Sequence, residues 1–168
     1  MKILSFVLSL VVLSSQAESI NNLVEFFSFR CSHCANVNDR LGVYIVNHPE
    51  VKFFDVNIDN SDTALPTTIM YYVATDAGVG QQFKSAYFAA ISSGMPVYQQ
   101  STLNYVTNQV MTPELAKLLK SAAEREKIKV KVNYANSLLG SYQIQGTPTF
   151  LINQSILLEG EAIINSLN

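Results

Sequence analysis

The feature that most constrains the fold is a buried-strand pattern that runs directly into the only two cysteines of the chain. Residues 23–28 (LVEFFS) are apolar or aromatic except for one acid, Glu25, and the terminal serine. A short apolar run of this kind predicts a central strand. A brief turn leads to Cys31 and Cys34, after which apolar residues recur at spacings of three and four, as in a helix. We therefore expect the cysteine pair at a helix N-terminus directly after a buried strand.

The following pattern completes an α/β arrangement with a helical stretch inside it. Residues 51–57 (VKFFDVN) predict a second strand, and the intervening helix is long enough for a parallel crossover. Residues 58–126 have helical spacing and read as an insertion. Residues 146–152 predict a turn and a strand, followed by an adjacent antiparallel strand at 156–159.

Two details of the helical pattern give sharper expectations. The apolar face that begins after Thr112 changes phase before Ile128, which predicts a bend at residues 124–127. Residues 161–167 predict a closing helix after the last strand.

The first seventeen residues have the pattern of a secretory signal peptide. Lys2 precedes an apolar run over residues 3–13, and Ser15 and Ala17 supply the small residues of a cleavage site. An uncleaved membrane anchor is the alternative, although the run is short for crossing a bilayer. We therefore expect an exported protein whose mature chain begins near Glu18.

Composition excludes some classes of protein. The chain has 168 residues, of which 48% are hydrophobic, so it is long enough and apolar enough to form a packed core. Its formal net charge is -2, and it has no basic stripe, so we predict no nucleic-acid partner.

The spacing of Cys31 and Cys34 favours redox chemistry over a structural disulfide. A ring closed by so few residues restricts the unfolded chain little, so its stabilising effect is small. At a helix N-terminus the unpaired amides stabilise a thiolate, which is the reactive form of cysteine. We expect Cys31 to be the exposed nucleophile and Cys34 the more buried, resolving cysteine. His33, between them, is expected to favour the Cys31 thiolate; an exposed loop histidine without a role is the alternative.

Two further questions, the position of Glu25 and the presence of a metal site, are not settled by the motif alone. Glu25 is either a buried acid beneath Cys34 that moves protons, or a residue that faces solvent at a sheet edge. A metal site on the two thiolates would need more ligands, and His33 and His48 are the only histidines. We predict no metal and no cofactor.

Three stretches resemble the DsbA family of thiol–disulfide oxidoreductases: residues 25–29 (EFFSF), 31–34 (CSHC) and 146–149 (GTPT). The resemblance implies a thioredoxin fold with an inserted helical domain. The implied division is a signal peptide at 1–17, thioredoxin-fold parts at 18–57 and 127–168, and the inserted helical domain at 58–126.

The resemblance also implies roles for individual residues. Cys31 matches the family's nucleophilic cysteine, Cys34 the resolving cysteine, His33 the histidine between them, and Glu25 the buried acid.

The resemblance assigns three other residues to substrate binding. Thr147 and Pro148 match a cis-proline loop that faces the cysteines and pairs with substrate backbone. Ser32 stands where the best-known members have proline, and Thr147 where valine is commoner. Both departures affect the expected redox potential and substrate choice.

The function expected from these observations is that of a monomeric periplasmic oxidase. It would donate its disulfide to unfolded or reduced exported proteins and be reoxidised by a DsbB-like membrane partner. One alternative is a disulfide reductase or isomerase that a membrane partner keeps reduced. A non-catalytic binding module with a permanent disulfide is the other.

Overall fold

The computed structural model describes residues 19–166, so the signal peptide predicted at residues 1–17 lies outside the described part. Four strands form one sheet: β1 (Asn22–Phe27), β2 (Lys52–Asn57), β3 (Thr149–Ile152) and β4 (Ile156–Glu159). Six α-helices surround it: α1 (Ser32–Asn47), α2 (Leu65–Asp76), α3 (Gly80–Ser92), α4 (Gln100–Gln109), α5 (Pro113–Leu119) and α6 (Ala122–Ser141). A 3-10 helix over Gly160–Ser166 closes the described chain.

The sheet has the order β2-β1-β3-β4, which places β1 in its interior. β1 pairs in parallel with β2, while β3 is antiparallel to both β1 and β4. In this register Glu25 lies beside Asp55 on one side and Phe150 on the other. The predicted α/β class with a helical insertion is confirmed.

Two apolar clusters hold the helices against the sheet. The larger cluster combines Phe26, Phe27 and Phe29 with Cys34 and with buried side chains of α2 to α6. The smaller cluster packs Leu23 and Phe150 against α1 and Ile163. Because β1 contributes to both clusters, Leu23 and residues 25–27 of this strand are buried, and Val24 is partly buried. Burial on both sides therefore holds the start of α1 in place.

The predicted bend at residues 124–127 is wrong, because the chain breaks earlier. α5 ends at Leu119, and Ser121 caps α6 by accepting a 3.1 Å hydrogen bond from the Glu124 amide. A serine cap of this kind satisfies an otherwise unpaired helical donor. α6 then continues without a break to Ser141, so the predicted domain boundary between residues 126 and 127 falls inside a helix.

The C-terminal segment also differs from its prediction. The closing helix expected at residues 161–167 is a 3-10 helix from Gly160 to Ser166 in the described chain. Gly160 has a φ of 67°, a conformation that glycine adopts without strain, and it turns the chain from β4 towards α1. No helix within residues 19–166 has the length and apolarity needed to cross a bilayer.

Candidate active site

The two cysteines form a disulfide at the N-terminus of α1. Cys31 is the N-cap residue, and its Sγ accepts a 3.0 Å hydrogen bond from the backbone N–H of Cys34. Cys31 is partly exposed, whereas Cys34 is fully buried within the larger apolar cluster. An incoming nucleophile can therefore approach Cys31 and not Cys34. The turn before the pair is held by a 3.1 Å hydrogen bond from the Cys31 amide to the Ser28 carbonyl.

His33 contacts a carboxylate rather than a cysteine. Its Nδ1 lies 2.8 Å from Oε1 of Glu161, and the same oxygen accepts a 3.1 Å hydrogen bond from Asn36. Among the described residues, no hydrogen bond joins His33 to the Cys31 sulfur. The turn at Gly160 brings Glu161 beside α1, and a carboxylate is a stronger acceptor than a disulfide sulfur. The hydrogen bonds from His33 and Asn36 lower the pKa of Glu161.

Glu25 is fully buried in the interior strand, so the alternative in which it faces solvent at a sheet edge is wrong. Its Oε2 lies 2.5 Å from Nζ of Lys84, a fully buried lysine of α3. The same ammonium lies 3.1 Å from Oδ1 of Asp55 on β2. Nζ also lies 4.2 Å from the centroid of the Phe27 ring. One cation is therefore shared by two buried carboxylates.

Burial is the largest single influence on the pKa values of Glu25 and Lys84. Loss of solvent raises the pKa of Glu25 to about 8, although the Lys84 ammonium opposes the shift. Burial also disfavours the ammonium of Lys84, but Asp55 and Glu25 outweigh that effect and raise its pKa. The second oxygen of Glu25, Oε1, has no hydrogen-bond partner among the described residues. Glu25 therefore holds a proton close to neutral pH.

The Thr147–Pro148 peptide bond is cis. Pro148 is buried and Thr147 partly exposed, and the Gly160 amide donates a 2.8 Å hydrogen bond to the Pro148 carbonyl. The segment that carries Glu161 to His33 is therefore also bonded to the proline loop. Ser32 is exposed in the first turn of α1.

Three site neighbours were not found from the sequence. Lys84 lies in a helical stretch where nothing distinguishes it from a surface lysine, although a buried Glu25 calls for some cation. Asp55 has no signal beyond one acid in an apolar strand. Glu161 is 128 residues away from His33, and only the fold brings them together.

One cavity adjoins the buried acids at Asp55 but does not reach the cysteines. A cavity of about 800 Å³ is lined by β1 residues Val24 and Phe26 and by α6 residues Tyr134 and Leu138, and neither cysteine lines it. Across residues 19–166, no three histidine, cysteine or carboxylate side chains are placed to hold one metal ion together.

Comparisons with known proteins agree with this fold. A family model described as thioredoxin matches residues 15–163. Oxidoreductase DsbA from Xylella fastidiosa superposes with a TM-score of 0.68 at 21% identity, covering 87% of this chain and 80% of that one. The oxidoreductase NmDsbA1 from N. meningitidis superposes with a TM-score of 0.68 at 17% identity, covering 91% and 82%.

A third solved structure contains a peptide. It is a Proteus mirabilis DsbA variant in complex with a non-covalently bound peptide, with a TM-score of 0.61 and 18% identity over 83% of this chain and 75% of that one. No curated protein sequence matches the chain significantly. The chain thus has the fold of these DsbA structures, including the helices inserted between β2 and β3.

Proposed function

Because the chain belongs to the thioredoxin family and has the fold of DsbA proteins, we propose that it is a thiol–disulfide oxidoreductase that donates the Cys31–Cys34 disulfide to reduced exported proteins. The observation that carries the proposal is the asymmetry of the pair. Cys31 is accessible at the helix N-terminus and receives a backbone N–H, whereas Cys34 is buried one turn further along. This asymmetry directs attack to one sulfur.

The proposed reaction transfers two electrons from client to protein. A client thiolate attacks Sγ of Cys31, the Cys31–Cys34 bond breaks, and Cys34 leaves with the electron pair. A second client thiolate then attacks the client sulfur of the mixed disulfide and releases Cys31 as a thiolate. The client gains one disulfide, and the protein is left with two reduced cysteines.

We assign Glu25 the role of proton donor to the departing Cys34 thiolate. Both side chains are fully buried, so Cys34 cannot readily take its proton from bulk water. Burial raises the pKa of Glu25 to about 8, which keeps a proton available at neutral pH. His33, held by Glu161, is assigned to tuning the charge around Cys31.

The remaining parts of the proposal concern clients, partner and location. Thr147 and Pro148, together with Ser32, would contact the backbone of an extended client segment. A DsbB-like membrane protein would accept the two electrons and restore the disulfide. Residues 1–17 would direct the chain to the periplasm and be removed, and the mature protein would act as a monomer.

Single-turnover disulfide transfer tests the proposal. The oxidised protein is mixed with a reduced peptide containing two cysteines, and free thiols are counted by alkylation and mass spectrometry. We expect one peptide disulfide per protein, and none from Cys31→Ser or Cys34→Ser. Equal transfer by Cys31→Ser would refute the assigned nucleophile, and no transfer by the wild type would refute the function.

The reduction potential against glutathione separates the oxidase from the reductase. A donor of disulfides is expected above about -180 mV, whereas a potential near about -270 mV is typical of a reductase. A value in the lower range would reverse the proposed direction of electron flow.

A further inference from the structure

Arg30, the residue immediately before Cys31, carries a positive charge that has no salt-bridge partner among the described residues. Its guanidinium carbon lies 4.8 Å from the centroid of the Tyr98 ring, in cation–π geometry. Within residues 19–166, no carboxylate lies within ion-pairing distance of this guanidinium. Arg30 is exposed, so its side chain is accessible to a client, and it directly precedes Cys31 in the chain.

Tyr98 is a preformed support for Arg30. It has a φ of 60°, a left-handed conformation that is unfavourable for a bulky residue and persists only where the surroundings impose it. Here its backbone N–H donates a 3.0 Å hydrogen bond to the hydroxyl of Tyr87, a fully buried residue that packs against Phe29 at 4.4 Å between ring centroids. The ring beneath Arg30 is therefore held by the core of the inserted helices.

The Asp59 carboxylate contacts the turn that precedes Cys31, where it accepts hydrogen bonds from donors other than Arg30. It accepts hydrogen bonds from the Ser28 hydroxyl at 2.7 Å, from the Phe29 amide at 3.0 Å and from the Tyr98 hydroxyl. Burial and the hydrogen bond to Asp59 raise the pKa of Tyr98, so its hydroxyl remains a neutral donor. The acid thus fixes the turn and the ring, and it forms no salt bridge with the guanidinium.

We infer that Arg30, supported by Tyr98, recognises a carboxylate next to the reacting cysteine of a reduced client chain. The planar donors of a guanidinium match a carboxylate in a bidentate pair. Because Arg30 adjoins Cys31, such a carboxylate would lie one or two residues from the client sulfur. The inference rests on the proposed function, since it concerns which clients are used by that same site.

Matched client peptides test this inference. Three reduced two-cysteine peptides differ only in the residue after the first cysteine, which is Asp, Asn or Lys. The second-order rate of disulfide transfer is measured for the wild type, for Arg30→Gln and for Arg125→Gln, which removes an exposed charge on α6. We expect the wild type to react about two- to fivefold faster with the Asp peptide than with the Asn peptide, as for an exposed ion pair.

The ratio of the rate with the Asp peptide to the rate with the Asn peptide separates recognition of the carboxylate from the reactivity of the Cys31 sulfur. Any effect of Arg30 on the Cys31 sulfur changes all three rates equally and cancels in the ratio. We expect Arg30→Gln to bring the Asp-to-Asn ratio to about one, Arg125→Gln to retain it, and added salt to reduce it. An unchanged ratio in Arg30→Gln, or no preference in the wild type, would overturn the inference.

Two variants test whether the Tyr98 ring supports Arg30. Tyr98→Phe keeps the ring and should retain the preference, whereas Tyr98→Leu removes the ring and should reduce it. Binding of the same peptides with serine in place of both cysteines, measured by fluorescence anisotropy, tests recognition without transfer. Wild-type binding that prefers Asp without any disulfide transfer would refute the proposed function and support the Arg30 inference; equal binding of all three peptides would refute the inference itself.

Discussion

The ammonium of Lys84 lies 2.5 Å from the carboxylate of Glu25, and both side chains are fully buried. Glu25 belongs to the strand that leads to Cys31, whereas Lys84 belongs to α3 within the inserted helices. The second carboxylate on the same ammonium is Asp55, the β2 neighbour of Glu25 in register. The inserted helices therefore supply the cation that these two acids share, and they contribute to the site as well as covering the sheet.

The first prediction concerns the stability supplied by Lys84. Removing one partner of a buried ion pair leaves uncompensated charge, so Lys84→Met should lower the free energy of unfolding by about 3–5 kcal/mol at pH 8. Urea unfolding measures the change. Lys117→Met is the matched control, because Lys117 is exposed and pairs only with Glu114 on the surface, so its loss should be below about 1 kcal/mol.

A double variant identifies the cause of that loss. Glu25→Gln combined with Lys84→Met removes one buried acid together with the cation, and it should recover part of the stability lost in Lys84→Met. If the two changes were simply additive, the stabilising effect of Lys84 would come from Asp55 or from packing, and not from Glu25.

The second prediction concerns the pH dependence of stability. The pKa of Glu25 is raised by burial to about 8 in the folded state, against 4.5 for the ordinary group. The folded protein therefore binds more protons than the unfolded chain between these values. The stability due to this shift is fully present below about pH 4.5 and is lost as the pH rises through about 8.

Glu25→Gln does not titrate at this position, so it serves as the reference. The free energy of unfolding of the wild type minus that of Glu25→Gln should fall steadily from pH 5 to pH 8, as measured by urea unfolding in a series of buffers. Subtraction cancels the contributions of Glu50 and Glu161, whose lowered pKa values act in the opposite direction. A difference that stays constant or rises with pH would contradict the protonated state assigned to Glu25.

Local patterns were sufficient to predict the strand that leads to the cysteines and the helix that starts at the pair. An apolar run flanked by a turn, a helical period and a cysteine pair are all properties of neighbouring residues. The same pattern left open whether Glu25 is buried, because the position of its strand within the sheet depends on the distant strands β2 and β3. The position of the break before α6 did not follow, because the phase of apolar residues is a weaker constraint than the cap at Ser121.

Contacts between distant segments could not be predicted in this way. The carboxylate that holds His33 is on Glu161, and the ring beneath Arg30 is on Tyr98, each brought into place by the fold. A buried acid implies that some cation is nearby, but eleven lysines and arginines are present and the sequence does not distinguish Lys84 from the others. The candidate site residues could therefore be chosen from the sequence, whereas the distant residues that contact them could not.

The third prediction concerns the pair formed by His33 and Glu161. Glu161→Gln removes a negative charge near Cys31 and frees the histidine to interact with the sulfur. Both effects stabilise the reduced form, so the reduction potential should rise by on the order of 10 mV. Equilibration with glutathione measures the potential, and Glu126→Gln is the control, because Glu126 is exposed and pairs with Lys129. In a His33→Ala background the effect of Glu161→Gln should be smaller; an equal effect would show that the charge acts without the histidine.

The last prediction compares the two redox states. The Cys34 amide that lies 3.0 Å from Cys31 Sγ in the disulfide form would face a thiolate after reduction, and hydrogen bonds to charged groups contribute about 1.5–3 kcal/mol. The reduced protein should therefore have the higher free energy of unfolding at neutral pH, and the difference should shrink in acid as the thiolate takes up a proton. Urea unfolding with and without reductant measures it, and Cys31→Ser should respond little to the reductant. A more stable oxidised form would mean that Cys31–Cys34 retains its disulfide and that the proposed donation to clients is unfavourable.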